Sequence, residues 1–237
     1  MPYSGIVLSC EHGGNIVPPM YLHLFRDQKS VLQTHRGWDP GALLSAQLLS
    51  TKLDVPLVYS RISRLLIEMN RSLDTKDIFS SFSLPLEDGE KIKLIDQYYT
   101  PYRQKIKATI DSTLSSEDKC IHYSIHTFTP DWQGQSRPTD IGILFDPTRS
   151  FETEISLELK SKLAILLPGM QIDLNEPYKG TDDGLTTSLR NIYDDQLYAG
   201  IEIEINQKWV NKAEHSIINN ALIVALPHLQ KRKPVVI

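Results

Sequence analysis

The sequence predicts an α/β protein, specifically a three-layer α/β/α sandwich around a largely parallel sheet. The order of the elements along the chain leads to this prediction. Short apolar runs of strand length alternate along the chain with longer segments of helical periodicity. Such alternation is typical of parallel sheets whose crossover helices cover both faces. The 237 residues show no internal repeat and no Gly/Ser-rich linker, so we expect a single domain over residues 1–237.

The predicted strands are short, apolar segments bounded by turn residues. They cover residues 5–10, 55–60, 63–70, 119–128, 139–146, 170–175 and 199–207. Helices are predicted at residues 39–53, 88–115, 152–167 and 211–229. The first helix opens with Asp39 as N-cap and Pro40 at the first helical position, and the second has a break at Pro101. Residues 74–90 and 130–138 are expected to be long loops over a site.

Composition argues against several classes of protein. The net charge of −4 and the pI near 6.0 give no basic surface for nucleic acid. No apolar run approaches the roughly 20 residues of a membrane span, and the first residues lack the features of a signal peptide. Cys10 and Cys120 are expected to be reduced and buried. We therefore expect a cytoplasmic protein without nucleic-acid or membrane partners; the oligomeric state stays open.

The segment AGIEIEINQ, residues 199–207, alternates isoleucine with polar residues. In a strand, successive side chains point to opposite faces, so Glu202 and Glu204 share one face about 6–7 Å apart. A half-exposed strand with solvated acids would explain the pattern. A functional site on that face would explain it as well.

Polar side chains also lie at the ends of several predicted strands. In open parallel sheets, ligands bind beyond the carboxyl ends of the strands. Two histidines and a carboxylate base meeting there are what a catalytic zinc site requires. Taken singly, each residue has a structural alternative, such as a tight turn, a core histidine or a surface ion pair. The residues concerned are Glu11, His12, Asn70, Arg71, His126, Glu202 and Glu204.

A set of six segments resembles the motifs of the N-formylglutamate amidohydrolase family. They follow one another between about residues 5 and 210: CEHGGNIVP, HRGWDPGA, SRLLIEMNRS, SIHTFTP, DIGILFDP and GIEIEIN. That family is similar to zinc carboxypeptidases and N-acetylmuramoyl amidases, so the resemblance implies a phosphorylase/hydrolase-like fold. It also implies a zinc-dependent hydrolase of a small carboxylate substrate, with N-formyl-L-glutamate cleaved to L-glutamate and formate as the first expectation.

The resemblance also implies roles for individual residues. His12 and His126 match zinc ligands, and Glu204 matches the general base. The pair Asn70 and Arg71 matches a pair that holds a substrate carboxylate. These assignments extend the zinc hypothesis from residue types to specific side chains.

The third zinc ligand is not given by the motifs. Asn15 stands where carboxypeptidases have a ligating glutamate, and an amide is a poor zinc ligand. Asp39 is the preferred replacement, although it can also be read as a helix N-cap. Glu11 and His35 are the reserves.

Further arginines are candidates for substrate contacts. Arg137 is the first choice for stabilising the developing oxyanion. Arg64, Arg61 and Arg190 are candidates for holding a second carboxylate, and Arg190 lies in a predicted loop bracketed by glycines. An ordinary ion pair is the alternative for each of them.

Three rival functions remain at this stage. The first is a zinc amidase or peptidase acting on another N-acyl amino acid or on a cell-wall fragment. The second is a binding protein that kept the fold without the chemistry. A nucleotide-binding protein is disfavoured, because neither G-x-G-x-x-G nor a P-loop occurs.

Overall fold

The structure, a computed structural model, describes residues 5–226, and its centre is a six-stranded sheet. The strands in chain order are β1 (Ile6–Cys10), β2 (Leu57–Tyr59), β3 (Cys120–Phe128), β4 (Asp131–Trp132), β5 (Gln135–Ser136), β6 (Ile141–Leu144), β7 (Ile172–Leu174) and β8 (Tyr198–Asn206). The order in the sheet is β2-β1-β3-β8-β6-β7, and β4 pairs only with β5 in a small antiparallel ribbon. Within the main sheet only the β6–β8 pair is antiparallel, so the predicted largely parallel α/β/α architecture is confirmed.

Helices cover both faces of the sheet. They are α1 (Ala42–Leu53), α2 (Asp88–Leu94), α3 (Thr100–Ser116), α4 (Ser150–Leu166), α5 (Leu185–Arg190) and α6 (Ala213–Ala225), with a π-helical turn over Ile95–Tyr99. Short 3-10 helices cover Pro19–Phe25, Lys29–Gln33 and Lys76–Ile78. Buried side chains of α1, α4 and α6 pack in one core with one face of the sheet. Those of α3 and α5 pack in a second core with the other face.

The pleat of β8 sorts its side chains between these two cores. Ile201, Ile203 and Ile205 are all fully buried in the core with α1, α4 and α6. Because side chains alternate along a strand, Glu202 and Glu204 point to the opposite side of the sheet. The parallel register pairs His126 of β3 with Glu204, so a histidine and an acid are neighbours on that side.

The prediction of a strand at residues 63–70 was wrong. Ser63 O accepts backbone hydrogen bonds from Leu66 and Ile67, which closes a turn. The apolar side chains of this segment, including Leu65 and Met69, are nevertheless buried in the second core. An apolar run therefore marked burial correctly, while its secondary structure followed from local hydrogen bonds that periodicity does not reveal.

Two helix predictions and one loop prediction also need correction. Helix α1 begins at Ala42 after Gly41, and no side chain caps it, so Asp39 is not its N-cap. Pro101 does not break the second predicted helix. A π-helical turn precedes it and is closed by a hydrogen bond from Thr100 N to Ile95 O. Because of this turn, the helix accommodates Pro101, which has no backbone N–H. Arg190 ends the short helix α5 instead of lying in a loop.

The two cysteines, Cys10 and Cys120, are buried free thiols, as predicted. The predicted final helix is present as α6 up to Ala225, and the rest of that prediction lies outside the described residues. Within residues 5–226, no helix combines the length and the apolar character that crossing a bilayer requires.

Candidate metal centre and active site

Three predicted ligands meet where β1 and β3 end at the carboxyl edge of the sheet. His12 follows β1 by two residues, and His126 lies two residues before the end of β3. The backbone N–H of Asp39 donates to His12 O at 2.9 Å, which fixes Asp39 beside the first histidine. One potential ligand atom from each of the three residues lies within 4.8 Å of the other two, and all three residues are buried.

A close backbone approach holds His12 in place. The Cβ atom of any other residue at Gly13 would lie 2.8 Å from Ser60 O, and at Gly14 it would lie 2.7 Å from Arg61 O. The EHGG turn thus packs directly against the segment that follows β2. The glycines are required for this contact, which brings residues 60–71 to the same edge as His12.

Both histidine rings direct Nδ1 toward the same carboxylate oxygen. His126 Nδ1 lies 3.0 Å from Asp39 Oδ2, and His12 Nδ1 lies 3.4 Å from that oxygen. The ring centroids are 5.1 Å apart at an interplanar angle of 62°. The rings therefore face a common point without stacking.

This group could hold a metal ion. The buried His12 Nδ1 has no hydrogen-bond partner among the described residues. A buried polar atom normally has one, so this nitrogen is as expected of an atom that binds a metal. Two imidazoles and a carboxylate also form a donor set that zinc accepts, leaving a fourth position open. Asn15, in contrast, bonds to Leu32 O and Gln33 away from the cluster.

The Asp39 carboxylate is paired with several of the positively charged groups around it. Arg64 donates to Asp39 Oδ1, and His35 Nδ1 lies 3.1 Å from the same oxygen. Burial alone would raise the pKa of Asp39, but Arg64 and His12 outweigh it and hold that pKa well below its ordinary value. Arg64 therefore neutralises the charge of Asp39, the predicted metal ligand. His35 is a neighbour of Asp39 but is not a member of the His12–Asp39–His126 group.

Two further carboxylates lie on the far sides of the histidines. Glu11, a reserve ligand in the sequence analysis, lies 2.9 Å from His126 Nε2 through Oε2 and is fully enclosed. Glu68 bonds to His12 Nε2. Burial opposes ionisation of Glu68, but the charge and hydrogen bond of His12 dominate and lower its pKa to about 2. Burial likewise opposes charge on His126, yet hydrogen bonds with Asp39 and Glu11 raise its pKa well above the ordinary value.

Glu204, the predicted base, borders the same cavity and is only 6% exposed. Within the described part of the chain, no hydrogen bond reaches its Oε2 atom. Burial, countered in part by His126 and reinforced by Asp39, raises the pKa of Glu204 to about 8. Glu202 also borders the cavity but accepts a hydrogen bond from Thr186 Oγ1 at 2.7 Å. Of the two acids, Glu204 is thus the one with a buried oxygen that accepts no hydrogen bond, whereas Glu202 is bonded to Thr186.

The predicted carboxylate-binding pair also reaches the cavity. Asn70 Oδ1 accepts from the backbone N–H of Leu185 at 2.8 Å, which ties the pair to α5. Arg71 Nη1 donates to Asp183 O at 2.6 Å, and this bond fixes the guanidinium along the cavity wall. The structure therefore brings Asn70 and Arg71 to the same cavity as the histidines and Glu204.

The remaining arginines are placed differently. Arg137 does not border the cavity; it donates to Tyr178 Oη at 3.0 Å and lies over the ring of Trp132. Arg190 bonds to buried Glu152 and to the carbonyls of Gly180 and Gly200, behind the cavity wall. Arg190 therefore does not fit the predicted substrate contact, because its donors are committed to a buried ion pair. Arg61 is exposed and outside the cavity.

Several residues that border the cavity were not predicted, among them Glu68, Trp132 and Tyr178. Glu68 stands two residues before Asn70, so the acidic residue in LLIEMNRS was a possible signal. Trp132 lies in the 130–138 segment, which was expected to cover a site. Nothing in the sequence pattern around Tyr178 indicated its position.

The cavity has a volume of about 270 Å³. This is below the roughly 300–1,000 Å³ of drug-sized ligand sites and favours a small molecule. Four cationic side chains border it: Arg36, Arg64, Arg71 and Lys179. Arg64 is engaged by Asp39, and Lys179 Nζ bonds to Asn175 O and Glu176. Arg36 and the remaining donors of Arg71 are therefore the ones available to an anionic ligand.

A mainly parallel sheet with a buried His–Asp–His group at its carboxyl edge defines the class: an α/β protein with a potential metal centre. Comparison with known families identifies the group within this class. The chain belongs to the N-formylglutamate amidohydrolase family, whose sequence model matches residues 4–210, and it is accordingly an amidohydrolase. No curated protein matches the sequence.

Solved structures share the fold. A gene product of Agrobacterium tumefaciens is 29% identical, with a TM-score of 0.80 over 94% of this chain and 89% of its own. The N-formylglutamate amidohydrolase of Ralstonia eutropha JMP134 is 15% identical, with a TM-score of 0.72 over 95% of this chain and 92% of its own. At that identity the second likeness concerns the fold alone.

Proposed function

We propose that the protein is a zinc-dependent hydrolase of an N-acyl amino acid, with N-formyl-L-glutamate as the preferred substrate. The observation that carries the proposal is the buried His12–Asp39–His126 group, which shares a cavity with Glu204 and Arg71. Membership in the amidohydrolase family supports the reaction type. The small cavity with cationic side chains on its walls supports a compact, anionic substrate.

His12, Asp39 and His126 would hold the zinc ion through their clustered nitrogen and oxygen atoms. When bound, zinc polarises a carbonyl and brings the pKa of a water molecule to roughly 7. The rest of the chemistry falls to side chains of the chain itself.

Glu204 is placed to move the proton. Its free Oε2 accepts a proton from the attacking water, and the same carboxyl then donates that proton to the leaving amine. The water oxygen joins the formyl carbon, the C–N bond breaks, and formate and L-glutamate are released. A buried carboxylate without other partners suits this role, since no competing hydrogen bond must be broken.

Arg71 and Asn70 orient the substrate. The guanidinium of Arg71 keeps donors free besides Nη1, which bonds to Asp183 O, and it can hold a carboxylate in a bidentate pair. Tyr178 borders the cavity and accepts a hydrogen bond from Arg137, so its hydroxyl proton is free to point at the developing oxyanion. In this arrangement Arg137 acts through Tyr178.

The direct test is hydrolysis by metal-stripped protein before and after zinc is added. We expect formate release from N-formyl-L-glutamate only with zinc, and a lower kcat/KM for N-acetyl-L-glutamate and for a peptidyl-glutamate. Tight zinc binding without hydrolysis of any of the three would favour a binding protein. A preference for a different acyl group would retain the mechanism and replace the substrate.

Replacing Arg71 with lysine should raise KM for N-formyl-L-glutamate by roughly tenfold or more, since a hydrogen bond to a charged group contributes about 1.5–3 kcal/mol. Lysine keeps the charge but loses the fork that binds both carboxylate oxygens. Zinc content should not change, because Arg71 does not contact the His–Asp–His group. Steady-state kinetics and metal analysis measure both effects.

The matched control is Arg61→Lys, since Arg61 is exposed and lies outside the cavity. It should leave KM and zinc content unchanged. An unchanged KM in Arg71→Lys would remove Arg71 from the substrate site.

A further inference from the structure

Each histidine of the group has a carboxylate on the nitrogen that faces away from Asp39. His126 presents Nδ1 to Asp39 at 3.0 Å and Nε2 to Glu11 at 2.9 Å. His12 presents Nδ1 to Asp39 at 3.4 Å and bonds to Glu68 through Nε2. The two rings are therefore oriented in the same sense by two different acids.

Glu11 has no access to a substrate. It is 0% exposed, and both of its oxygens are occupied inside the protein. Tyr102 Oη donates to Oε1, while Ser124 Oγ donates to Oε2, the oxygen that also faces His126. A charge buried so completely costs free energy unless its partners compensate for it, and His126 is its partner at the site.

Glu68 is anchored in a comparable way. Its Oε1 accepts from the backbone N–H of Asn70 at 2.9 Å as well as from the ring of His12. The side chain borders the cavity, but the oxygen nearest to the metal group is engaged by these two donors. Glu68 thus ties the orientation of His12 to the segment that carries the substrate-binding pair.

The position of the ring proton decides which nitrogen can bind a metal. A neutral imidazole carries its proton on one nitrogen and a lone pair on the other. We propose that Glu11 and Glu68 are positioning residues that keep the proton of each histidine on Nε2, so that both Nδ1 lone pairs are directed at the point beside Asp39. This inference rests on the metal site of the proposed function. Carboxylate–histidine–metal arrangements of this kind tune affinity in other metalloproteins.

The test measures zinc affinity and not activity alone. We expect Glu11→Gln and Glu68→Gln each to raise the Kd for zinc by about 10–100-fold, measured by competition with a chelating dye. The matched control is Tyr102→Phe, which removes a hydrogen bond from Glu11 without touching His126. It should lower the unfolding midpoint while leaving the zinc Kd nearly unchanged.

A second readout reports the proton itself. Long-range ¹H–¹⁵N NMR of the zinc-loaded wild-type protein should show both rings protonated at Nε2 and unprotonated at Nδ1. A ring protonated at Nδ1 would overturn the assignment for that histidine.

The possible failures are distinguishable. Wild-type protein that binds no zinc would remove the proposed function together with this inference. Wild-type protein that binds zinc, with glutamine variants that bind it equally well, would overturn the positioning roles alone. If Tyr102→Phe lost as much zinc affinity as Glu11→Gln, the role of Glu11 would be structural and not specific to His126. If Glu68→Gln lost as much zinc affinity as Asp39→Asn, Glu68 would be a zinc ligand.

Discussion

Replacing Glu204 with glutamine is expected to lower kcat by roughly 10²–10⁴-fold, the contribution that general acid–base catalysis usually makes. Glutamine retains the size of the side chain but cannot accept the proton of water. Zinc content should stay at the wild-type level, because Glu204 is a neighbour of the His–Asp–His group and not a member of it. Steady-state kinetics on zinc-loaded protein, with metal analysis of the same sample, measure both quantities.

Glu202→Gln is the matched control. Glu202 lies two residues earlier on the same face of β8, but Thr186 already donates to its carboxylate. We expect a much smaller loss of kcat than in Glu204→Gln. Loss of zinc from Glu204→Gln would mean that Glu204 is a ligand and that the base lies elsewhere.

Replacing Asp39 with asparagine is expected to weaken zinc binding by more than about 100-fold. Loss of a residue that only hydrogen-bonds to a metal ligand weakens binding by about 10–100-fold, so loss of a ligand itself should exceed that range. The amide is a much poorer zinc ligand than the carboxylate. Activity should fall in parallel and recover in part at high zinc concentration. Chelator competition and kinetics across a zinc titration give the two values, and circular dichroism checks that the variant is folded.

Asp140→Asn provides the comparison for this experiment. Asp140 is also a buried acid, 6% exposed, but it bonds to Trp209 Nε1 and Lys208 outside the cavity. Its zinc affinity should match that of the wild type. If Asp39→Asn bound zinc as tightly as the wild type, Asp39 would be a structural partner of Arg64 and the third ligand would be another residue.

The strands that carry the site were predictable because their patterns are local. The alternation in AGIEIEINQ placed Glu204 on one face of a strand, and this face is the one that borders the cavity. The apolar run before EHGG placed His12 beyond β1. In each case, neighbouring residues determine which way a side chain points.

The partners of these side chains were not predictable in the same way. Periodicity offered Asp39 as a helix cap, whereas the structure uses its backbone N–H to hold it against His12. Glu11 was a reserve ligand, and it lies behind His126 instead. Arg190 was expected in a loop, but its guanidinium is bonded to Glu152, which is 38 positions away in the chain. Such choices depend on contacts between segments that are far apart along the chain.

The sequence by itself determined the layered α/β architecture, the two histidines at strand ends and the acid that faces them, because strand pleating and apolar periodicity act over a few residues. Only the tertiary structure decided that Asp39 completes the group, that Glu68 borders the cavity and that Arg190 is turned away. The physical reason is that a buried charge is stable only with specific partners, and packing of the whole chain selects those partners.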